Sequence, residues 1–304
     1  MASVSAAAAN SFKDKTFTTS TDDQGKNYAQ HRPNYHPSVY EHIVDHHKAT
    51  GGKFDSLLDV GCGPGLATFS LAPHFTHARG IDPSPAMIST AQSLNTFPET
   101  ITFHTSPAED MSAIPTSSVD LITAANAAHW FDLPRFWSEA ARVLKPGGSV
   151  ALWATMRAVT HPDLPNAGKI ETALSRHREE YLAPFKVEGN LMSQDGYKHL
   201  AMPWAIDPPI NGFNKSSFNR RIWEPDERFL AGEDAYSLDD FEKTMGTMSP
   251  VVRWREANPE KVGTEEDVVR VLRNEIEGLL REGGVQDLVL RGRVPGAVLM
   301  LKKG

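Results

Sequence analysis

Cysteine is nearly absent from the chain, Cys62 being the only one among 304 residues. One thiol excludes an intramolecular disulfide framework and any all-cysteine metal site, and it fits a reducing compartment. No apolar run approaches the roughly 18 residues that a membrane-spanning helix needs. Positive charge is also in short supply. Lysine and arginine number 31 against 38 aspartates and glutamates, a formal net charge of −7. Such a chain lacks the basic face that grips nucleic acid phosphates and the polybasic patch that holds an anionic membrane. The 12 histidines show no H-E-x-x-H or comparable ligand spacing, so no metal is expected. The Ala/Ser-rich opening residues 1–10 have no positive n-region, which argues against a secretory leader. The expectation is a cytoplasmic monomer or homodimer whose partner is a small molecule and not nucleic acid or a membrane.

Apolar residues make up 40% of the chain, enough to bury a sizeable core. Residues 1–25 are small and polar and are expected to be disordered. From there strands and helices alternate. Short apolar runs at 56–60, 78–81, 101–105, 119–125 and 149–154 read as buried parallel strands. Amphipathic stretches at 35–49, 66–72, 85–94 and 133–144 read as helices. Repeated units of this length predict an α/β fold, a doubly wound and mostly parallel Rossmann-like sheet. After Thr155 the rhythm breaks into a Trp-, Phe- and Pro-rich stretch, read as a substrate-side insertion at 156–257. It is expected to hold a helix near 170–181 and an extended piece at 217–223. Thr264 is expected to open a last helix through a capping box with Asp267. Two final strands, at 287–290 and 297–301, are expected to form a hairpin. The expected organisation is thus one domain over 26–304, with its core in 26–155 and 258–304.

The densest chemistry lies in Leu57-Leu-Asp-Val-Gly-Cys-Gly-Pro-Gly-Leu-Ala67. A buried strand runs into Gly61, Gly63 and Gly65 and then into a helix. Glycine lets the backbone turn sharply and lets a ligand lie against the main chain. A dinucleotide fingerprint needs a small residue where Leu66 stands, so that match fails. Asp59 ahead of the glycines repels a pyrophosphate and suits a cationic ligand. Gly80-Ile-Asp82 closes the next strand, 17 positions past Gly65. A carboxylate there is placed to accept ribose hydroxyls, or to cap the helix that follows. Ser106-Pro-Ala-Glu-Asp110, after the third strand, is placed to meet an adenine edge, or is a polar turn.

On these pieces, with Val119-Asp-Leu-Ile-Thr-Ala-Ala125 and Arg142-Val-Leu-Lys-Pro-Gly-Gly148, the chain resembles the class I S-adenosylmethionine-dependent methyltransferases of the methyltransferase type 11 group. Tyr28, Arg32-Pro33 and Ala127-Ala-His-Trp-Phe131 add a likeness to fungal trans-aconitate methyltransferase-like proteins. The resemblance covers residues 25–155 and implies a seven-stranded sheet with a reversed last strand. It implies S-adenosylmethionine as cofactor, with Gly61, Gly63 and Gly65 under its methionyl part. Asp59 would face the cofactor's ammonium or hold the loop, and Asp82 would bind its ribose. Ala108 and Glu109 would flank the adenine, and Ala125 and Asn126 would pass near the sulfonium. Tyr28 and Arg32 would close over the cofactor or form a surface arm.

The resemblance leans towards a small-molecule carboxylate acceptor, giving a methyl ester. The alternative is O-methylation of a hydroxyl on a secondary metabolite, with His129 as general base. His129 could equally donate a hydrogen bond or be packed for structure. Readings from other classes are a nicotinamide-dependent oxidoreductase and a non-catalytic S-adenosylmethionine-binding regulatory protein. Trp204, Phe213, Phe218, Trp223 and Phe229 either wall an apolar pocket or form the insertion's own core. Among Arg157, Arg220, Arg221, Arg253 and Arg255, one or two could clamp a substrate carboxylate.

Overall fold

The computed structural model of the protein describes residues 22–232 and 234–304. Helices α1 (Asp22–His31) and α2 (Pro37–Ala49) lead into strand β1 (Ser56–Val60). There follow α3 (Leu66–Leu71), β2 (His77–Asp82), α4 (Pro85–Leu94), β3 (Ile101–Thr105), β4 (Val119–Ala125), α5 (Leu133–Val143) and β5 (Leu144–Thr155). Beyond them lie β6 (Val159–Thr160), α6 (Ala167–Glu180), α7 (Glu188–Gln194), β7 (Phe213–Trp223), β8 (Ala235–Ser237), α8 (Leu238–Gly246) and α9 (Ser249–Ala257). The chain ends with α10 (Val268–Glu282), β9 (Val289–Arg293) and β10 (Gly296–Lys303).

Seven strands form one sheet in the order β3-β2-β1-β4-β5-β10-β7. The first five are parallel, and β10 runs antiparallel to both β5 and β7. The expected seven-stranded sheet with a reversed last strand is therefore present. Period-2 alternation divides its side chains between two faces. Leu58, Ile122 and Leu152 join the cluster that holds Phe136, Trp137 and Ala140 of α5. Their neighbours Leu57, Leu121 and Trp153 join Val39 and Ile43 of α2, Leu71 of α3 and Ile88 of α4. Helix α5 shows why: Leu133, Phe136, Trp137, Ala140 and Val143 share one buried stripe at helical spacing, and Asp132 caps its first turn by accepting from Arg135 N.

Several sequence expectations fail for identifiable reasons. Residues 1–21, expected to be disordered, lie outside the described residues, but 22–25 already belong to α1. That helix packs on α4, with Gly25 close against Ala86 and Thr90, a contact that amino-acid composition does not report. The extended piece at 217–223 is longer and is not in the insertion's own layer: β7 is the outer strand of the main sheet. The terminal hairpin does not exist. β9 pairs with β6 and β8 in a separate three-stranded sheet, and only β10 enters the main one. Thr264 does not start α10. Asp267 is the N-cap, accepting from Val269 N, and Thr264 sits in the turn before it. Helix α10 buries Leu272, Ile276 and Leu280 against Ile170 of α6 and Phe241 of α8, so it packs with the layer over the sheet's carboxyl edge. We call that layer, from β6 to β9 apart from β7, the cap.

Candidate functional site

The strand order reverses between β1 and β4, where open α/β sheets leave a crevice at the carboxyl ends of their strands. A cavity of about 1430 Å³ opens there, roofed by the cap. Of the residues singled out in the sequence, Arg32, Gly61, Gly63, Asp82, Ala108, Glu109, Ala125, Asn126 and His129 line it. Asp59 and Gly65 do not. Tyr28 lies in α1, and its side chain is outside what is described.

The three glycines serve three different ends. All have positive φ, +66° at Gly61, +55° at Gly63 and +89° at Gly65, which L side chains rarely adopt. A Cβ on Gly61 would lie 2.6 Å from Ala127 Cβ, and one on Gly65 would lie 2.9 Å from the Phe69 and Phe103 rings. These two glycines let the loop pack on its neighbours. A Cβ on Gly63 would meet nothing within 4 Å and would project into open space. Gly61 and Gly63 both line the cavity, and at Gly63 the space a Cβ would take is open.

Asp82 fixes that loop. Its Oδ2 accepts from Gly63 N at 2.9 Å and its Oδ1 from Ser84 N at 2.9 Å. A carboxylate has about four lone-pair sites, so two remain for hydroxyl donors in the cavity. Burial pushes its pKa up, against the pull of those two N–H groups. Asp59 is completely buried and does not line the cavity. Thr68 Oγ1 donates to it at 2.6 Å and Thr123 Oγ1 at 2.8 Å, tying α3 and β4 to β1. Burial pushes its carboxyl up to about 6. Its hydrogen bonds run to α3 and β4, not into the cavity. Glu109 Oε1 accepts from Asp132 N at 2.7 Å, which pins the loop after β3 to the start of α5. Asn126, at φ +52°, ends β4, and its Oδ1 accepts from Thr155 at the end of β5.

His129 stands in a short 3-10 turn after β4 with 8% of its surface exposed. Its Nδ1 lies 2.8 Å from Tyr197 Oη, and its ring centroid 4.5 Å from that of Trp130. Burial lowers its pKa to about 3, so the ring is neutral at ordinary pH. The charge across the cavity comes from elsewhere. Arg220 bonds the carbonyls of Asp195 and Gly196, and Arg221 pairs with Glu227 and covers Trp223. Arg253 bonds Phe185 O and Asn190, and Arg255 pairs with Asp267. These four hold structure. Arg157, two residues past β5, is exposed on the cavity wall. Beside it stands Arg178, which pairs with Glu171 at 3.1 Å; burial, and then Arg157, hold its pKa below the usual value.

The five aromatics of the insertion do not line the cavity. Trp204 packs edge-on to Phe218, Phe213 on Trp137, and Trp223 and Phe229 are fully buried in the core. The apolar wall is built by residues that sequence reasoning passed over, among them Met156, Met192, Met245, Met248, Leu174 and Leu182. Scattered methionines in an irregular stretch carry no periodic signal. Arg178 was missed because it sits on an otherwise ordinary charged helix.

A glycine loop open to the cavity, an acidic residue at the next strand end and a seven-stranded sheet with one reversed strand match the Rossmann-like methyltransferase fold. Residues 58–152 match the family described as "Methyltransferase domain". The chain is 27% identical over 271 residues to the Probable S-adenosylmethionine-dependent methyltransferase CRG1 of Saccharomyces cerevisiae, covering 86% of this chain and 90% of that one. It is 32% identical over 131 residues to the methyltransferase gedG of Aspergillus terreus, and there it spans only 40% of the relative's length. A solved structure from Anaeromyxobacter dehalogenans, named for the type II methyltransferases, superposes with a TM-score of 0.62 at 26% identity, over 89% of this chain and 97% of that one. Residues 58–152 thus carry a methyltransferase domain, and over most of its length the chain is similar to S-adenosylmethionine-dependent methyltransferases. No helix among the described residues is long and apolar enough to cross a membrane.

Proposed function

We propose that the enzyme transfers a methyl group to a carboxylate of a small-molecule acceptor, giving a methyl ester. The observation that carries this reading is the state of His129. A ring whose pKa is lowered to about 3 is too weak a base to take a proton from a hydroxyl. A carboxylic acid, with a pKa of about 4, is already ionised and needs no base. Arg157 and Arg178 supply positive charge on the facing wall.

The cavity residues fit the cofactor. The bare Gly63 leaves room for its methionyl part, Gly61 and Gly65 shape that loop, and Asp82 keeps lone pairs for its ribose. Ala108 and Glu109 flank the adenine position, Ala125 and Asn126 lie at the transfer end, and Arg32 closes over it. When bound, S-adenosylmethionine supplies an electrophilic methyl on a sulfonium. The chain's task is then to hold the acceptor oxygen in line and keep water out, and orientation of that kind is worth up to roughly 7–11 kcal/mol. A volume of about 1430 Å³ exceeds the roughly 300–1,000 Å³ of a single-ligand pocket, which supports cofactor and acceptor sharing it. We read residues 26–304 as one methyltransferase domain, its core roofed by the cap. The single buried cysteine, Cys62, supports a reducing, cytoplasmic setting.

The test is a screen of small carboxylic acids and phenols with methyl-labelled S-adenosylmethionine, read by mass spectrometry. The expected product loses its label as methanol in mild base, as an ester does. A label that survives base, in an ether or on carbon, refutes the carboxylate reading.

A further inference from the structure

We infer that Tyr197 is a positioning residue that fixes His129 as its Nε2–H tautomer, so that the ring presents a hydrogen-bond donor to the acceptor. The inference rests on the carboxylate reading above and deepens it.

Tyr197 is 1% exposed, and its hydroxyl has one side-chain neighbour, His129 Nδ1, at 2.8 Å. The proton of this buried hydroxyl needs an acceptor. A buried O–H left without one pays its full desolvation penalty. Among the described residues the acceptor in reach is His129 Nδ1. Nδ1 must then be bare, and the neutral ring carries its proton on Nε2. Nε2 has no protein partner among the described residues, and it is not among the buried atoms left unsatisfied. It opens on the cavity that His129 lines.

The backbone is arranged to deliver this phenol. Gly196 and Tyr197 are both left-handed, at φ +63° and +61°. A tyrosine held there stores backbone strain, which persists only where its surroundings enforce it. Tyr197 N closes α7 by donating to Met192 O at 3.1 Å, and Arg220 of β7 donates to Gly196 O at 3.0 Å. A residue of the cap thereby sets a side chain of the core.

A carboxylate has two oxygens. One attacks the methyl carbon: the O–CH₃ bond forms, the S–CH₃ bond breaks, and its electron pair stays on sulfur. The negative carboxylate and the positive sulfonium cancel, and no proton moves. Nε2–H bonded to the other oxygen orients the pair without blunting the attacking one. An Nε2 lacking its proton would repel that oxygen instead.

The test reads the tautomer by long-range ¹H–¹⁵N spectra of full-length protein labelled at histidine, with His129→Gln assigning one ring among the 12. The wild-type ring is expected as Nε2–H. Tyr197→Phe should convert it to a tautomer mixture, while S-adenosylhomocysteine affinity by calorimetry stays within about twofold. A wild-type ring protonated on Nδ1 overturns the inference, and so does a Tyr197→Phe ring that remains purely Nε2–H. Should Tyr197→Phe not fold, the wild-type tautomer decides alone. Neither arm uses a methyl acceptor, so a failed ester screen leaves this result standing.

Discussion

Asp82 accepts the main-chain N–H of Gly63 at 2.9 Å, and with Ile81 O accepting from Gly61 N and Cys62 N the end of β2 sets the position of the glycine loop that closes β1. The residue proposed for the ribose and the residue left bare for the methionyl part are thus a single unit. Disturbing either disturbs both.

Asp82→Ala should therefore weaken S-adenosylhomocysteine binding by more than a lost ribose contact. The direct loss is about 1.5–3 kcal/mol, the range for hydrogen bonds to a charged group. Two N–H groups, of Gly63 and Ser84, also lose their acceptor. Calorimetric titration checks this, and unchanged affinity in a folded variant would misplace the site.

Asp59 makes stability depend on pH in an unusual direction. Its folded pKa of about 6 lies above the ordinary 3.8. Between those values the folded protein holds more protons than the unfolded chain, so this group's contribution falls as pH rises through the window. The full effect is on the order of 3 kcal/mol, at about 1.4 kcal/mol per unit. Asp59→Asn removes the titration. Urea unfolding of both proteins should show wild type losing ground to the variant between pH 4 and pH 7, and a constant difference would contradict the argument.

Arg157→Ala should raise KM for a carboxylic acid acceptor by about 10–100-fold, the worth of one charged hydrogen bond. Affinity for S-adenosylhomocysteine should not change, because Arg157 lies past β5 on the cap side of the cavity. Steady-state kinetics with the acid found in the ester screen, paired with calorimetry, separates the two effects. An unaltered KM would remove Arg157 from the acceptor site.

His129→Gln should retain a donor and keep activity within about tenfold, and the wild-type rate should be flat from pH 5 to 8. The reason is the lowered pKa of about 3, which leaves the ring neutral throughout that range. A loss of about 10²–10⁴-fold with a pH limb that vanishes in the variant is the signature of a general base. It would move the reading to a hydroxyl acceptor.

The parallel half of the molecule was legible because its signals are local. Runs such as Val119–Ala125 are buried on both faces, and Gly61, Gly63 and Gly65 mark a turn whose purpose limits its chemistry. The roles of Asp59 and Gly65 were less legible. Their partners Thr123 and Phe103 lie on other strands, and spacing along the chain does not report distance across a sheet. The cap was misread for the same reason. β7 lies between two cap segments in sequence and beside β10 in space, and the partner of β9 is β6, more than a hundred residues earlier. Tyr197 carried no signal at all, since one tyrosine in an irregular stretch looks like any other.

Core and cap are joined by a continuous antiparallel ribbon. β5 and β10 pair as far as Thr155 and Gly296, Met156 N donates to Pro295 O at 2.7 Å, and pairing resumes between Val159 and Arg293. The two points at which the chain leaves and re-enters the core are thus neighbours, which is the arrangement that transplantation requires. A cap taken from a relative could be spliced at Met156 and Pro295 with both ends already the right distance apart. Phe213–Trp223 is the one stretch that must stay, because it closes the edge of the recipient's sheet. Exchange of acceptor specificity is then a matter of replacing two lengths of chain on either side of a retained strand.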